Sequence, residues 1–266
     1  MPWMRFEGPV YWAIFVAAFL AVAVWETWRP NHRLSWPAER RWGRHGILLA
    51  LSIAIQNTVL RLSAVVVAAA VAGSRWGVLN RPWLPFAVRC LAAILLLDLA
   101  HYATHRAFHS IHALWRVHEV HHSDPDYDVS TAARFHPVEI VLTQGAYLAV
   151  VAALAPPPIA VFAAEILTSV MNLFVHADAS MPGRAEKTLR CLIVTPGLHR
   201  IHHSEEVLEQ SRNFGQTFCW WDRLFGTYLD APAKGAEFMV TGIKGLQAEG
   251  SLSLWFMLSE PFRRRT

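Results

Sequence analysis

Three observations in this sequence predict an all-α fold: a polytopic helical bundle embedded in a membrane, with a histidine-rich cap on its cytoplasmic side. Of the 266 residues, 54% are hydrophobic and only 17% charged, too little charge to coat an ordinary soluble domain. Apolar stretches of bilayer length recur between short polar connections. Eight of the fourteen histidines fall within residues 98–136, at spacings of three or four, and a second cluster at 198–204 repeats the HxxHH pattern of the first. The chain reads as one membrane domain over residues 1–266.

The first span covers residues 9–28, with Trp12, Trp25 and Trp28 near its ends as interfacial anchors. Ala21 to Ala23 mimic a signal-peptidase site, but a nearly neutral start and a long apolar run predict a retained anchor. Residues 29–45 form the most basic connection, which by the positive-inside rule is cytoplasmic and puts the N-terminus outside. A second span follows at 47–72, interrupted by Gln56, Asn57 and Arg61, which are costly in lipid and pack against other helices or the interface. Gly and Pro punctuate the turn at 74–82, and a third span from residue 83 to 100 completes a three-span unit over 9–100. That helix continues into the first histidine cluster, residues 101–136.

After the turn-forming SDPDYD, residues 138–175 are apolar but divided by Ala155-Pro156-Pro157-Pro158. Each half is about 18 residues, so the pair is either two short spans or a re-entrant hairpin. Either returns His176 to the side it left, beside the second cluster and cap at 176–230. The net charge of +4 resides in arginines that flank apolar runs, Arg263 to Arg265 included, rather than in a basic, aromatic-interleaved nucleic-acid surface. Cys90, Cys191 and Cys219 have no spacing that signals disulfides or a thiolate metal site, so histidines must carry any metal alone.

On a helix, His101, His105 and His109 drift only about 40° per step and project from one stripe. In HxxHH the rings of His118, His121 and His122, and of His199, His202 and His203, spread over roughly 100°, an arc suited to two adjacent ions. Neutral imidazole is the commonest transition-metal ligand, and burial favours the neutral ring. The candidate ligands are therefore His105, His109, His118, His121, His122, His199, His202 and His203, with His176 added because it ends an apolar helix at the same depth. His32, His45 and His112 fit no pattern and are assigned to the interface or surface. Ligating rings need their second nitrogen fixed, and Asp98, on the same helix face, is the first candidate, with Asp128, Glu139 and Asn213 behind it.

These residues also carry a resemblance. DxxHYxxHRxxH from Asp98, HxxHHS from His118, RFHPVE from Arg134, and TPGLHRIHHS followed by NFG and WDRLFGTY resemble the fatty acid hydroxylase and sterol desaturase superfamily, over roughly residues 40 to 230. Its members are integral-membrane, non-haem di-iron oxygenases. The resemblance implies two iron ions, dioxygen, hydroxylation or desaturation of a lipid, and the nine histidines above as ligands. Some branches have HxxxH where this chain has Asn172-x-x-x-His176, so Asn172, His101 and His136 compete for the last place. Asp98, Asn172 and Asn213 are the candidate catalytic residues that are not histidine. An all-histidine set suits iron that activates dioxygen, and the chain has no haem or iron–sulfur cysteine motif, which implies a separate electron-transfer protein.

Two other readings compete. His118-Glu119-Val120-His121-His122 also satisfies HExxH, the zinc metallopeptidase pattern with Glu119 as general base, but that mechanism leaves at least six patterned histidines without a role. A metal carrier needs polar groups through the mid-span regions, and these spans hold few.

Overall fold

The computed structural model describes residues 1–74, 76–246 and 249–263; Arg264 and Arg265 of the basic tail lie outside the described residues. Among the described residues there is no β-strand, only three isolated bridges. Among the described residues, five segments are long and apolar enough to cross a membrane: Pro2–Trp28, Ala38–Val71, Phe86–Ser110, Pro137–Leu154 and Pro158–Val175. They contain α1 (Glu7–Trp28), α2 (Ala38–Val59), α3 (Ala64–Val71), α4 (Phe86–Ser110), α6 (Pro137–Leu154) and α7 (Pro158–Val175). The short α5 (His112–His122) follows α4 directly. The C-terminal third adds α8 (Gly183–Leu189), α9 (Pro196–His202), α10 (Val207–Gln210), α11 (Trp220–Leu224) and α12 (Leu254–Ser259).

Helix α1 is apolar on every face and buries only Val22, as expected of a helix whose other faces meet lipid. It packs on α7, which also contacts α4 and α3, while α2 packs on α6. Small residues permit close approach where no hydrophobic effect drives helices together: Ala64, Ala68 and Ala164 join Val65, Leu97, Tyr147, Val151 and Val161 in the central cluster. At the α6–α7 turn Ala155 adopts φ +47 and Pro157 and Pro158 start the next helix. Gly77 packs against that turn so tightly that a Cβ there would lie 2.4 Å from the Ala155 Cβ.

The second span departs from expectation at its start and in its middle. Its helix begins at Ala38, inside the stretch read as a basic loop, and breaks after Val59, where Arg61 takes φ +54 and Ser63 caps α3 by accepting from Val66 N. His45, assigned above to the interface or surface, is 1% exposed, and Arg41 beside it is fully buried. Arg41 donates to Asp124 Oδ2 at 2.8 Å and to Asp128 Oδ2 at 2.5 Å, and His45 Nδ1 meets Ser130 Oγ at 2.9 Å. Burial works against the Asp124 charge, yet the Arg41 guanidinium, with His45 and Arg134, holds its carboxyl below the usual range. Arg134 closes the same knot by donating to Val120 O and Ser251 O. The SDPDYD loop is thus clamped between α2 and the C-terminal segment. This sets the entry of α6 and the exit of α5.

Candidate metal centre

Four segments supply the rings. Helix α4 runs on past its apolar part and presents His105 and His109 one turn apart; α5 carries His118, His121 and His122. His176 is the C-cap of α7, and α9 brings His199 and His202 with His203 as its C-cap. Thr195 starts α9 by accepting from Leu198 N, with Pro196 in the first turn, so the second HxxHH sits on a short, well-defined helix.

The nine rings sort into two groups. His105, His109, His118, His122 and His202 form one, and His121, His176, His199 and His203 the other; within each, one nitrogen per ring lies within 4.8 Å of all the others. The two HxxHH motifs cross between them. In the first motif the i, i+4 pair His118 and His122 enters the five-ring group and His121 the four-ring group; in the second, His199 and His203 enter the four-ring group and His202 the five-ring group. Residues four apart share a helix stripe and the residue three along is rotated off it, so one turn can serve two adjacent centres. His122 and His203 stack between the groups, ring centroids 4.3 Å apart.

Backbone and carboxylate acceptors fix four rings from behind. His118 Nδ1 donates to Glu139 Oε1 at 2.6 Å, His105 Nδ1 to Phe214 O at 2.9 Å, His176 Nδ1 to Asn172 O at 2.7 Å and His202 Nδ1 to Arg212 O at 2.7 Å. With Nδ1 carrying the proton, each Nε2 lone pair turns inward. His202 Nε2 lies 2.9 Å from His105 Nε2, and His176 Nε2 3.2 Å from both His121 Nε2 and His199 Nε2. Buried His109 Nε2 and His203 Nε2 have no hydrogen-bond partner among the described residues. Burial pushes the pKa of His118 down to about 3 and that of His176 to about 4, and depresses those of His121, His122, His199, His202 and His203 as well. Neutral rings with converging lone pairs and orphaned nitrogens are what transition-metal ions require, so the donor set fits two ions.

Other sequence candidates lie elsewhere. His101 is in neither group; its ring packs on Tyr147 with centroids 5.0 Å apart. His136 is also outside them and caps α6, its Nδ1 accepting from Val138 N at 3.2 Å. The Asn172 side chain donates to Ala132 O, and its contribution to the rings is its backbone carbonyl.

Asp98 does not orient a histidine. Its carboxylate accepts from Thr217 N, Phe218 N and Trp221 Nε1, because the segment from the α10–α11 loop into α11 folds over that face of α4. Asp128 is taken up by Arg41, Trp42 and Ser130. Asn213, at φ +54, ties α9 to the following segment through Leu198 O and Leu229 O. Glu139, ranked behind Asp98, is the carboxylate that holds a ring. Asp222 of WDRLFGTY was not singled out: it accepts from Phe214 N and Gly215 N and so fixes the carbonyl that holds His105. A Cβ on Gly215 would lie 2.8 Å from the Asp222 carboxylate, so the close approach needs glycine.

A cavity of about 730 Å³ opens onto the centre, with His105, His118, His121, His176 and His199 in its wall. Phe135 stacks on His121 at 4.2 Å and lines it as well. Glu119 is fully buried and is not a lining residue.

Comparison with known proteins places this architecture. An ornithine lipid hydroxylase of Rhizobium tropici is 30% identical over 185 residues, covering 68% of this chain and 52% of the relative. An alkylglycerol monooxygenase of Danio rerio is 32% identical, covering 51% of this chain and 29% of the relative. Methylsterol monooxygenase 1 of Rattus norvegicus is 28% identical, covering 54% and 48% respectively. The chain thus spans about half or less of the length of these relatives. No solved structure matches. The fatty acid hydroxylase profile matches residues 90–227, just over half of the chain and the stretch that carries all nine grouped rings, and on that ground the chain belongs to the fatty acid hydroxylase family.

Proposed function

We propose that this chain is a membrane-bound, dioxygen-dependent lipid hydroxylase that holds two iron ions, one in each histidine group. The observation that carries the reading is the position of the two groups in the wall of a cavity enclosed by apolar helices. The named relatives act on ornithine lipids, alkylglycerols and methylsterols, which supports a lipid substrate. One oxygen atom would enter a substrate C–H bond and the other leave as water, consuming two electrons from a separate electron-transfer protein and two protons from solvent. Desaturation draws on the same electrons and remains the variant outcome.

Bound iron would supply the dioxygen chemistry that side chains lack. The chain's part is to hold nine rings neutral and aimed, with Glu139 and three carbonyls as props, and to seat a lipid against them. We place the centre on the cytoplasmic face, on the positive-inside reading of the basic stretch 29–45; a reporter fused after Asp128 should give the cytoplasmic signal, and the opposite signal would invert the topology.

The peptidase alternative gains no support: His118 and His122 share a five-ring group, whereas a catalytic zinc keeps three protein ligands and an open position. The decisive experiment compares membrane lipids by mass spectrometry with and without expression of the protein, in air and without oxygen. A lipid gaining 16 mass units, or losing 2, only in air is expected. No oxygen-dependent lipid change, together with iron-free purified protein, would overturn the reading.

A further inference from the structure

The cavity extends well beyond the rings into a polar station that oxygen chemistry does not use. Along α6, Tyr147 lies two turns past Glu139, about 12 Å at 1.5 Å per residue, and along α7 Glu165 lies about 16 Å from His176. Both line the cavity, as does Gln144. Tyr147 is 5% exposed, and its hydroxyl is buried without a hydrogen-bond partner among the described residues. Glu165 makes no hydrogen bond or ion pair with another described residue, and its carboxylate interacts electrostatically with Tyr147, Tyr11 and Glu7.

An intramembrane carboxylate is expensive and persists where it has a counter-charge or a task. The charged residue that acts on it electrostatically in this cavity is Glu7, another acid. Arg61, the one guanidinium among the described residues that line the cavity, donates to Thr58 O at the break after α2. The station therefore brings the carboxyl groups of Glu165 and Glu7 next to an orphaned hydroxyl, with the rings of Tyr11 and Phe162 in the same wall. A primary ammonium has three donors and no acceptor. It matches the Glu165 carboxylate, the Tyr147 hydroxyl oxygen and the Gln144 amide oxygen, and its charge is attracted to aromatic faces.

We propose that Glu165, with Tyr147 and Gln144, binds a protonated amine on the lipid substrate. This deepens the lipid-hydroxylase reading by naming the substrate class as an amine-bearing lipid, and it rests on that reading only for what is then oxidised. Held there, the amine lies about a dozen ångströms from the rings, and the carbon presented to them is roughly ten bonds away along an extended chain.

The test needs no turnover. The purified full chain in maltoside micelles is titrated anaerobically with a single-chain phosphoethanolamine lipid and with its N-acetylated counterpart, each displacing a fluorescent single-chain lipid. The free amine is expected to bind at least tenfold more tightly. Glu165→Gln should reduce that preference to threefold or less, and Tyr147→Phe should weaken the amine lipid by about three- to tenfold while leaving the acetylated lipid unchanged. Equal binding of the two lipids by the native protein, or an undiminished preference in Glu165→Gln, overturns the proposal. If Glu165→Gln fails to fold, the native pair and Tyr147→Phe decide. Iron content and oxygen uptake are measured separately. A protein that prefers the amine but takes up no oxygen when loaded with ferrous iron and given an electron donor overturns the hydroxylase reading alone; one that takes up oxygen and ignores the amine overturns this inference alone.

Discussion

His118 Nδ1 and Glu139 Oε1 lie 2.6 Å apart, joining the last turns of α5 to the first turn of α6 across the whole clamped loop. The bond sets the His118 tautomer, and Glu139 also sits where the N-terminal dipole of α6 favours a negative charge. Glu139→Gln keeps the size but loses the charge. It should cost roughly 10- to 100-fold in iron affinity or activity, the usual range for groups that orient a ligand. Iron content and turnover at native levels would show that the carboxylate is dispensable.

The grouping of rings predicts how metal is lost. His121→Ala and His203→Ala act on the four-ring group and His122→Ala on the five-ring group, so each should lower the iron-to-protein ratio below two and abolish activity. His112→Ala should do neither, because His112 is exposed and in no group. His136→Ala should keep its iron while losing about 1 kcal/mol of stability as a helix cap. Elemental analysis with thermal unfolding separates the three classes; full iron in His203→Ala would break the assignment.

The buried rings give a pH dependence with a definite sign. An imidazole in the unfolded chain takes up a proton near pH 6.5, whereas in the fold His176 resists until about 4 and His118 until about 3. Between those limits the unfolded state binds more protons, so stability falls as pH falls. The metal-free protein should therefore hold a level Tm above about pH 7 and lose roughly ten degrees or more by about pH 4.5. A flat Tm across that window would mean that the rings are not buried neutral.

Glu119 separates oxygenase from peptidase at one residue. A hydrolase loses 100-fold or more when its general base is removed, but Glu119 does not line the cavity. Glu119→Gln should keep its iron and at least about a tenth of its activity, whereas removing oxygen or the electron donor should stop turnover. Anaerobic turnover, with inactive but metal-loaded Glu119→Gln, would decide for hydrolysis.

The long apolar helices and the histidines that group were legible because both leave a local pattern: apolar length marks α1, α4, α6 and α7, and HxxHH marks α5 and α9. The sequence concealed whatever depends on contacts between distant segments. Arg41 and His45 looked like parts of a solvated basic connection because their partners, Asp124, Asp128 and Ser130, lie more than 80 residues away. Asp98 is on the expected face of α4, yet a loop almost 120 residues downstream captures it. Glu165 carried a readable signal, an acid inside an apolar span. Only the cavity beside it shows what it faces.

The exchange of partners between the two HxxHH turns has a consequence for assembly. Neither half of the centre belongs to one segment, so an ion entering one group orders parts of α5 and α9 that the other also needs. Occupancy of the first should prepay much of the ordering entropy of the second. Titrated with ferrous iron, the protein should fill in a single steep transition with little of the one-ion form, and damage to either half should propagate to both.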